Sequence, residues 1–240
     1  MRALLLNCSP HGKQSHGFRL AAEAIATLVQ SSGSGPACEV LERDLVAEPL
    51  PPIGRDYAAA ITSHAPDPAV FDWSERLIVE LEQTDALVIN TPMHNFTVPA
   101  ALKLWIDHVL RIHRTFAATP EGKVGFLRDR PTLVLVGSGG FHSGERARQP
   151  DFLTPYLRHA LGCVGIRTVQ FLLLQGLTRG DDAVAAALAA ARGELARLAR
   201  MPRMAPFDAE ARVATSSRRL GDYVPYPGAA APASAARQSS

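Results

Sequence analysis

Residues Ala86 to Leu110, ALVINTPMHNFTVPAALKLWIDHVL, restrict the possible folds of this chain more than any other stretch. Ala86 to Ile89 is a continuous apolar run, β-branched toward its end and bounded by Asn90-Thr91-Pro92, as expected of a buried parallel strand. From Ala101 onward the period changes. Leu102, Trp105, Ile106, Val109 and Leu110 recur at the spacing of one helix face, and Thr97 and Pro99 suit a cap and first turn. Trp105 falls on the core side of that helix, while His108 and His113 are expected on a solvated or interface face. Between strand and helix lies Pro92-Met93-His94-Asn95-Phe96, a turn of large side chains rather than glycines. Ligands of open α/β sheets bind just beyond the carboxyl ends of the strands, so this turn is expected to touch one.

The same alternation runs through the chain. Ala3 to Leu6 reads as a first strand, and Phe18, Ala21, Ile25, Leu28 and Val29 as the face of a helix that ends at Gly33 to Pro36. Cys38 to Leu45 is a less hydrophobic strand, expected nearer an edge. Pro49 to Pro68 reads as a long surface connection, and Asp67-Pro68 starts a helix with the stripe Val70, Trp73, Leu77, Ile78 and Leu81. Arg111 to Arg130 is a long loop of the kind that walls or covers a site. Thr132 to Val136 is a fourth strand, Phe152, Tyr156, Leu157, Ala160 and Leu161 mark a helix, Arg167 to Leu174 is a fifth strand, and Asp181 to Ala199 a last helix. Strands and helices alternate five times, which argues for an α/β domain with a parallel sheet and helices on both faces. That domain is expected over residues 1–200. Residues 201–240, rich in Pro, Ala, Ser and Arg, read as an appended extension.

Composition narrows the function. The formal charge of +2 is too small, and its basic residues too scattered, to argue for nucleic acid. Cys8, Cys38 and Cys163 are odd in number and far apart, so they make neither a disulfide framework nor a zinc site. Cys8 is expected to be a small buried residue. The run Ala3 to Leu6 is too short for a signal peptide, and nothing approaches the roughly 20 apolar residues of a membrane span. A cytoplasmic protein with no membrane partner is expected.

Three turns leave strand ends: Ser9 to Gly17, Pro92 to Phe96, and Gly137 to His142. The first, polar and opening a helix, offers amides, hydroxyls and a positive dipole end to an anion, although it lacks both the Gly-x-Gly-x-x-Gly and the Walker A pattern. The second offers apolar side chains and amides to a flat ring. The third lets backbone approach a ligand closely. A phosphate at one end and an aromatic system at the other describe a mononucleotide such as FMN.

On these residues the sequence resembles the FMN-dependent NADH azoreductases, also called NADH:quinone oxidoreductases, of the flavodoxin-like superfamily. The resemblance covers residues 1 to about 200. It rests on Ser9 and Ser15, Pro92 to Phe96, Thr115-Phe116, Gly139-Gly140 with His142, Thr154-Pro155-Tyr156-Leu157, and Leu161-Gly162 with Gly165-Ile166. It implies a five-stranded parallel sheet in the order 2-1-3-4-5. It also implies that Ser9, Ser15, His16 and Gly17 hold the FMN phosphate and that Pro92, Met93, His94, Asn95 and Phe96 lie along the isoalloxazine. Gly137, Ser138, Gly139, Gly140 and His142 would meet its pyrimidine side, with the amides of the Gly139-Gly140 turn and His142 stabilising negative charge there. Asn95 and Phe116 are the expected substrate wall. The implied reaction is ping-pong, with NADH or NADPH as donor and a quinone or azo compound as acceptor, in a homodimer and without a side-chain nucleophile or a metal. The apolar face holding Trp105 and Val109 is expected to contribute to the dimer. A flavodoxin-type electron carrier and a non-catalytic flavin sensor are the alternative readings.

The chain departs from the family at several positions. Gly17 stands where a serine is usual, His94 replaces a common tyrosine, and Gly137-Ser138 replaces a Ser/Ala-Arg pair. A serine restored at Gly17 is expected to tighten FMN binding modestly.

Overall fold

The computed structural model describes residues 1–32 and 38–200. The expected end of the first helix at Gly33 to Pro36, and the extension over 201–240, lie outside the described residues. In chain order the elements begin with β1 (Arg2–Asn7), α1 (His16–Ser32), β2 (Glu39–Asp44), α2 (Arg55–Ile61), α3 (Asp72–Glu82), β3 (Ala86–Pro92) and α4 (Ala100–Val109). They continue with β4 (Phe116–Thr119), β5 (Gly122–Gly125), β6 (Thr132–Ser138), α5 (Leu153–Val164), β7 (Val169–Gln175) and α6 (Asp181–Arg200). The central strands are parallel and ordered β2-β1-β3-β6-β7, which is the expected 2-1-3-4-5 order once the separate β4–β5 hairpin is set aside.

The period of two along each strand divides the core between two faces. Leu4, Leu6, Leu87, Ile89, Val134 and Val136 point to α3, α4 and α5, where they meet Leu77, Ile78, Leu102, Trp105, Leu157 and Leu161. Ala3, Leu5, Val88, Leu133 and Leu135 point the other way, toward Leu20, Ala24 and Ile25 of α1 and Ala187 and Ala191 of α6. Trp105 and Val109 are both 0% exposed, inside this chain's own core. They are therefore not a spare apolar face, and the expectation that they help form a dimer is corrected.

Five other expectations change. Pro49 to Pro68 is not wholly a connection: it contains α2, and Tyr57 on that helix packs edge-on against Phe71 at 5.2 Å and His108 at 5.8 Å. His108 is accordingly buried rather than solvated, with Nε2 2.9 Å from the Pro51 carbonyl, whereas His113 is exposed. Arg111 to Arg130 is partly the antiparallel hairpin β4–β5. In the expected helix stripes Trp73 faces outward under Arg76, and Phe152, the N-cap residue of α5, is 59% exposed. Finally, Pro99 itself is the N-cap of α4 with no side-chain cap, and Thr97 instead exchanges two backbone bonds of 3.0 Å with His94.

Candidate functional site

The three turns singled out in the sequence leave β1, β3 and β6, which are neighbours in the sheet, so all three emerge at one edge. Direct bonds tie them together. The Cys8 amide donates to the Asn90 carbonyl at 2.8 Å, and the Met93 amide donates to the Gly137 carbonyl at 2.8 Å. Further out, the Phe152 amide reaches the Phe96 carbonyl at 3.0 Å.

In the first turn Ser9 is buried, and its Oγ accepts from the His11 amide at 3.3 Å. A single turn of 3-10 helix over Gly12–Gln14 leads to Ser15, whose Oγ accepts from the Phe18 amide at 3.2 Å and so caps α1. The cap leaves the amides of His16 and Gly17 without an acceptor among the described residues, at the positive end of a helix of 17 residues. Lys13, two residues before Ser15, is paired with Glu42 at 2.9 Å. Cys8 is buried as expected; burial, with Asp44 nearby, pushes its thiol up and keeps it neutral.

The second turn is strained. Asn95 and Phe96 have φ of 47° and 74°, a region that costs non-glycine residues about 1–3 kcal/mol each and persists where surrounding contacts enforce it. Enforcement comes from the His94–Thr97 bridge on one side and the Phe152 bond on the other. Pro92 and Met93 are half-buried, while His94, Asn95 and Phe96 are exposed. The amides of Asn95 and Phe96 also lack acceptors among the described residues.

In the third, Gly137 and Ser138 are the last residues of β6, and Ser138 Oγ donates to the Gly140 carbonyl at 2.9 Å. A Cβ on Gly139 or Gly140 would lie 2.9 Å from the Thr178 or Gln149 side chain, so a residue larger than glycine would have to push that side chain aside. The Gly139 and Gly140 amides have no acceptor among the described residues. The His142 amide, by contrast, donates to Gln175 Oε1 at 2.8 Å, so only its ring can serve a ligand. That ring is buried, with Nδ1 3.3 Å from Asp151 Oδ2 and Nε2 buried without a partner. Asp151 also accepts from the Leu153 and Thr154 amides and the Thr154 hydroxyl. Burial alone would raise its pKa, but these donors and the nearby His142 outweigh it and hold the carboxyl below its usual range.

Phe116 is buried in β4 with the Lys123 ammonium 5.1 Å from its ring centroid, and among the described residues no hydrogen bond or ring contact links it to the three turns. Sequence reasoning missed the polar residues beneath the turns. Asn7 and Asp44, at the ends of β1 and β2, and Asn90, two residues before the end of β3, sit side by side. Asn90 Nδ2 donates to Asn7 Oδ1 and Asn7 Nδ2 to Asp44 Oδ2, both at 2.8 Å. For Asn7 and Asn90 the signal was a polar residue closing an apolar run, whereas the polar strand EVLERD set nothing apart at Asp44.

These features fit FMN. Unpaired amides at a helix N-terminus suit the phosphate, those of the strained turn suit the ring, and the orphaned His142 Nε2 with the Gly139-Gly140 backbone suits its polar edge. Among the described residues no group of His, Cys, Asp and Glu could hold a metal, and no helix is long and apolar enough to cross a membrane.

Comparison with known proteins agrees with the architecture. The family model described as "Flavodoxin-like fold" matches residues 1–199. FMN-dependent NADH:quinone oxidoreductase 4 of Pseudomonas fluorescens is 62% identical over 193 residues, 80% of this chain and 92% of that protein. FMN-dependent NADH:quinone oxidoreductase 5 of Burkholderia lata is 54% identical over 204 residues, 84% and 96% of the two chains. Among solved structures, an azoreductase from Bacillus anthracis superposes with a TM-score of 0.70 at 23% identity, over 83% of this chain and 98% of that one, a likeness of fold. With a family model spanning nearly all described residues and relatives above half identity, this chain belongs to the flavodoxin-like fold family.

Proposed function

We propose that this protein is an FMN-dependent NADH:quinone oxidoreductase. The observation that carries the reading is the set of acceptor-free amides in three adjacent strand-end turns, in a chain 62% identical to a protein named for that activity. Bound FMN supplies two-electron transfer between NADH and the acceptor, which occupy the site in turn. The protein's share is placement and charge. Ser9, Ser15 and the amides of His16 and Gly17 hold the phosphate. The turn from Pro92 to Phe96 supports the ring, with Asn95 beside the acceptor. Gly137, Ser138, Gly139 and Gly140 line its polar edge. With Asp151 accepting at Nδ1, His142 turns its remaining ring nitrogen, Nε2, to that edge, where the Gly139 and Gly140 amides are the donors that negative charge needs.

Heat release and chromatography of the cofactor test the first step, with FMN expected and FAD fatal to the reading. NADH oxidation with and without menadione tests the second. A carrier or sensor would be slow in both, whereas the enzyme is fast only with the quinone. Azo compounds are a proposed second acceptor class, checked with methyl red, and NADPH is compared as donor in the same assay.

Three further parts belong to the proposal. Residues 1–200 hold the whole site, so truncation after Arg200 retains FMN. The protein is cytoplasmic, consistent with free Cys8, Cys38 and Cys163. It is a homodimer, supported by Phe96 and Phe152, bonded neighbours on the rim of the site that are 44% and 59% exposed. Light scattering at micromolar concentration should give twice the chain mass, and an active monomer would refute the dimer.

A further inference from the structure

Gly17 reads in the sequence as a lost hydroxyl. The space beside it tells a different story. A Cβ at position 17 would lie 2.1 Å from Asn90 Oδ1, a separation no real contact tolerates. Asn90 is 3% exposed, and its amide nitrogen donates in two directions, to Asn7 Oδ1 at 2.8 Å and to Ser15 Oγ at 3.0 Å. Asn7 is held in turn by Asp44, which accepts the Val46 and Ala47 amides at 3.0 and 2.9 Å. The Asn90 side chain therefore cannot swing away from Gly17 without breaking both of its bonds.

The consequence falls on Ser15. A serine hydroxyl has two acceptor sites and one proton. Ser15 Oγ accepts from the Phe18 amide at 3.2 Å and from Asn90 Nδ2, and donates to the Gly12 carbonyl at 3.0 Å. Both acceptor sites are filled, so Ser15 can meet a further ligand only as a donor, by turning its proton from Gly12 to an anionic oxygen.

We propose that Asn90 is a positioning residue for the flavin phosphate: its carboxamide fills the space at Gly17 and fixes Ser15 as a hydrogen-bond donor to that phosphate. This rests on the reading of Ser9 to Gly17 as the phosphate turn. It reverses the expectation for Gly17→Ser, which should now weaken binding, because the new Cβ displaces the amide that orients Ser15.

The test is a cycle of wild type, Asn90→Ala, Gly17→Ser and the double variant. Affinities for FMN and for riboflavin, which lacks the phosphate, are measured by fluorescence quenching at fixed salt, with thermal melting of each apoprotein. Asn90→Ala should weaken FMN about tenfold, the effect of one hydrogen bond to a charged group, and leave riboflavin within about twofold. Gly17→Ser alone should weaken FMN similarly and lower the apoprotein melting temperature. In the double variant, removal of the amide makes room for the serine. Its FMN affinity should return to within about threefold of wild type and its melting temperature should rise above that of Gly17→Ser, a coupling that independent sites do not show. Should Asn90→Ala not fold, Asn90→Ser takes its place in the cycle.

Equal losses for FMN and riboflavin would make Asn90 merely structural and overturn the proposal. So would a Gly17→Ser protein that melts and binds as wild type does, or a double variant worse than either single. A wild type that takes up no FMN instead refutes the functional reading beneath it, whereas the apoprotein melting data report on the Asn90–Gly17 contact without any flavin.

Discussion

Ser15 uses one oxygen for two purposes, as the cap of α1 and as the donor proposed for the phosphate. Ser15→Ala removes both, so two independent losses are expected. The missing cap should lower the unfolding free energy of the apoprotein by about 1 kcal/mol, read as a shift in the urea midpoint. The missing donor should weaken FMN by about 10- to 100-fold. A stability loss with unchanged affinity would place the phosphate elsewhere. At this scale the sequence was informative about Ser15, because a polar turn before a periodic helix is a local signal. It was uninformative about Asn90, which read only as the end of a strand. The meaning of Asn90 comes from pairing between β1 and β3, which sets it opposite Asn7 across 83 residues of chain. His108 failed for a similar reason: its helix phase was right to leave it off the main stripe, but Tyr57 and the Pro51 carbonyl, supplied by a distant segment, enclose it.

Elements were legible where period and length were both strong, as in β3, α4 and α6. They were not where the element is short. The strands of the β4–β5 hairpin have four residues each, and their sequences, FAAT and GKVG, carry little β preference. In α2 the prolines drew attention, yet Arg55–Ile61 contains none, and its three alanines favour a helix between them. The start of β6 illustrates a support that no period reveals. Arg130, 3% exposed, donates from Nη1 to the carbonyls of Leu81 and Thr84, at and just beyond the end of α3. Burial, together with the neighbouring charge of Arg128, pushes its pKa down to about 10, so it remains cationic at neutral pH. Arg130→Ala removes one donor from each carbonyl, while Leu81 keeps the Thr84 amide and hydroxyl and Thr84 keeps Arg128, and should cost about 2 kcal/mol, or ~4–8 °C in melting temperature for a chain of this size. A loss below about 1 kcal/mol would mean that water replaces the guanidinium. Arg130→Lys, which retains a charge and fewer donors, should fall between.

For the whole molecule, alternation alone was enough to identify a parallel sheet covered on both faces, and the family resemblance supplied the strand order. Neither indicated that the edge carrying the site is braced by two carboxylates. Asp44 anchors the Asn7–Asn90 pair, and Asp151 anchors His142 and caps α5. Burial would raise both pKa values. In Asp44 the Ala47 and Val46 amides, the Asn7 amide group and the charge of Lys13 outweigh it, and in Asp151 the Thr154, Leu153 and His142 contacts do. Both carboxyls are therefore depressed in the folded protein, while the unfolded chain titrates near the ordinary value of about 3.9. Between those two values the unfolded state binds more protons, so acid favours it. The stabilisation is complete above the unfolded pKa and disappears as pH falls through the folded one, at no more than about 1.4 kcal/mol per pH unit for each group. The urea midpoint of the apoprotein should thus be flat from pH 8 to 6 and fall below about pH 5. Asp151→Asn cannot take up that proton. It should start from a lower midpoint at pH 7, since asparagine is a weaker acceptor for the α5 amides, and decline less steeply toward pH 3.5. If its decline runs parallel to that of wild type, the acid sensitivity lies in other carboxylates and the brace under His142 contributes nothing to it.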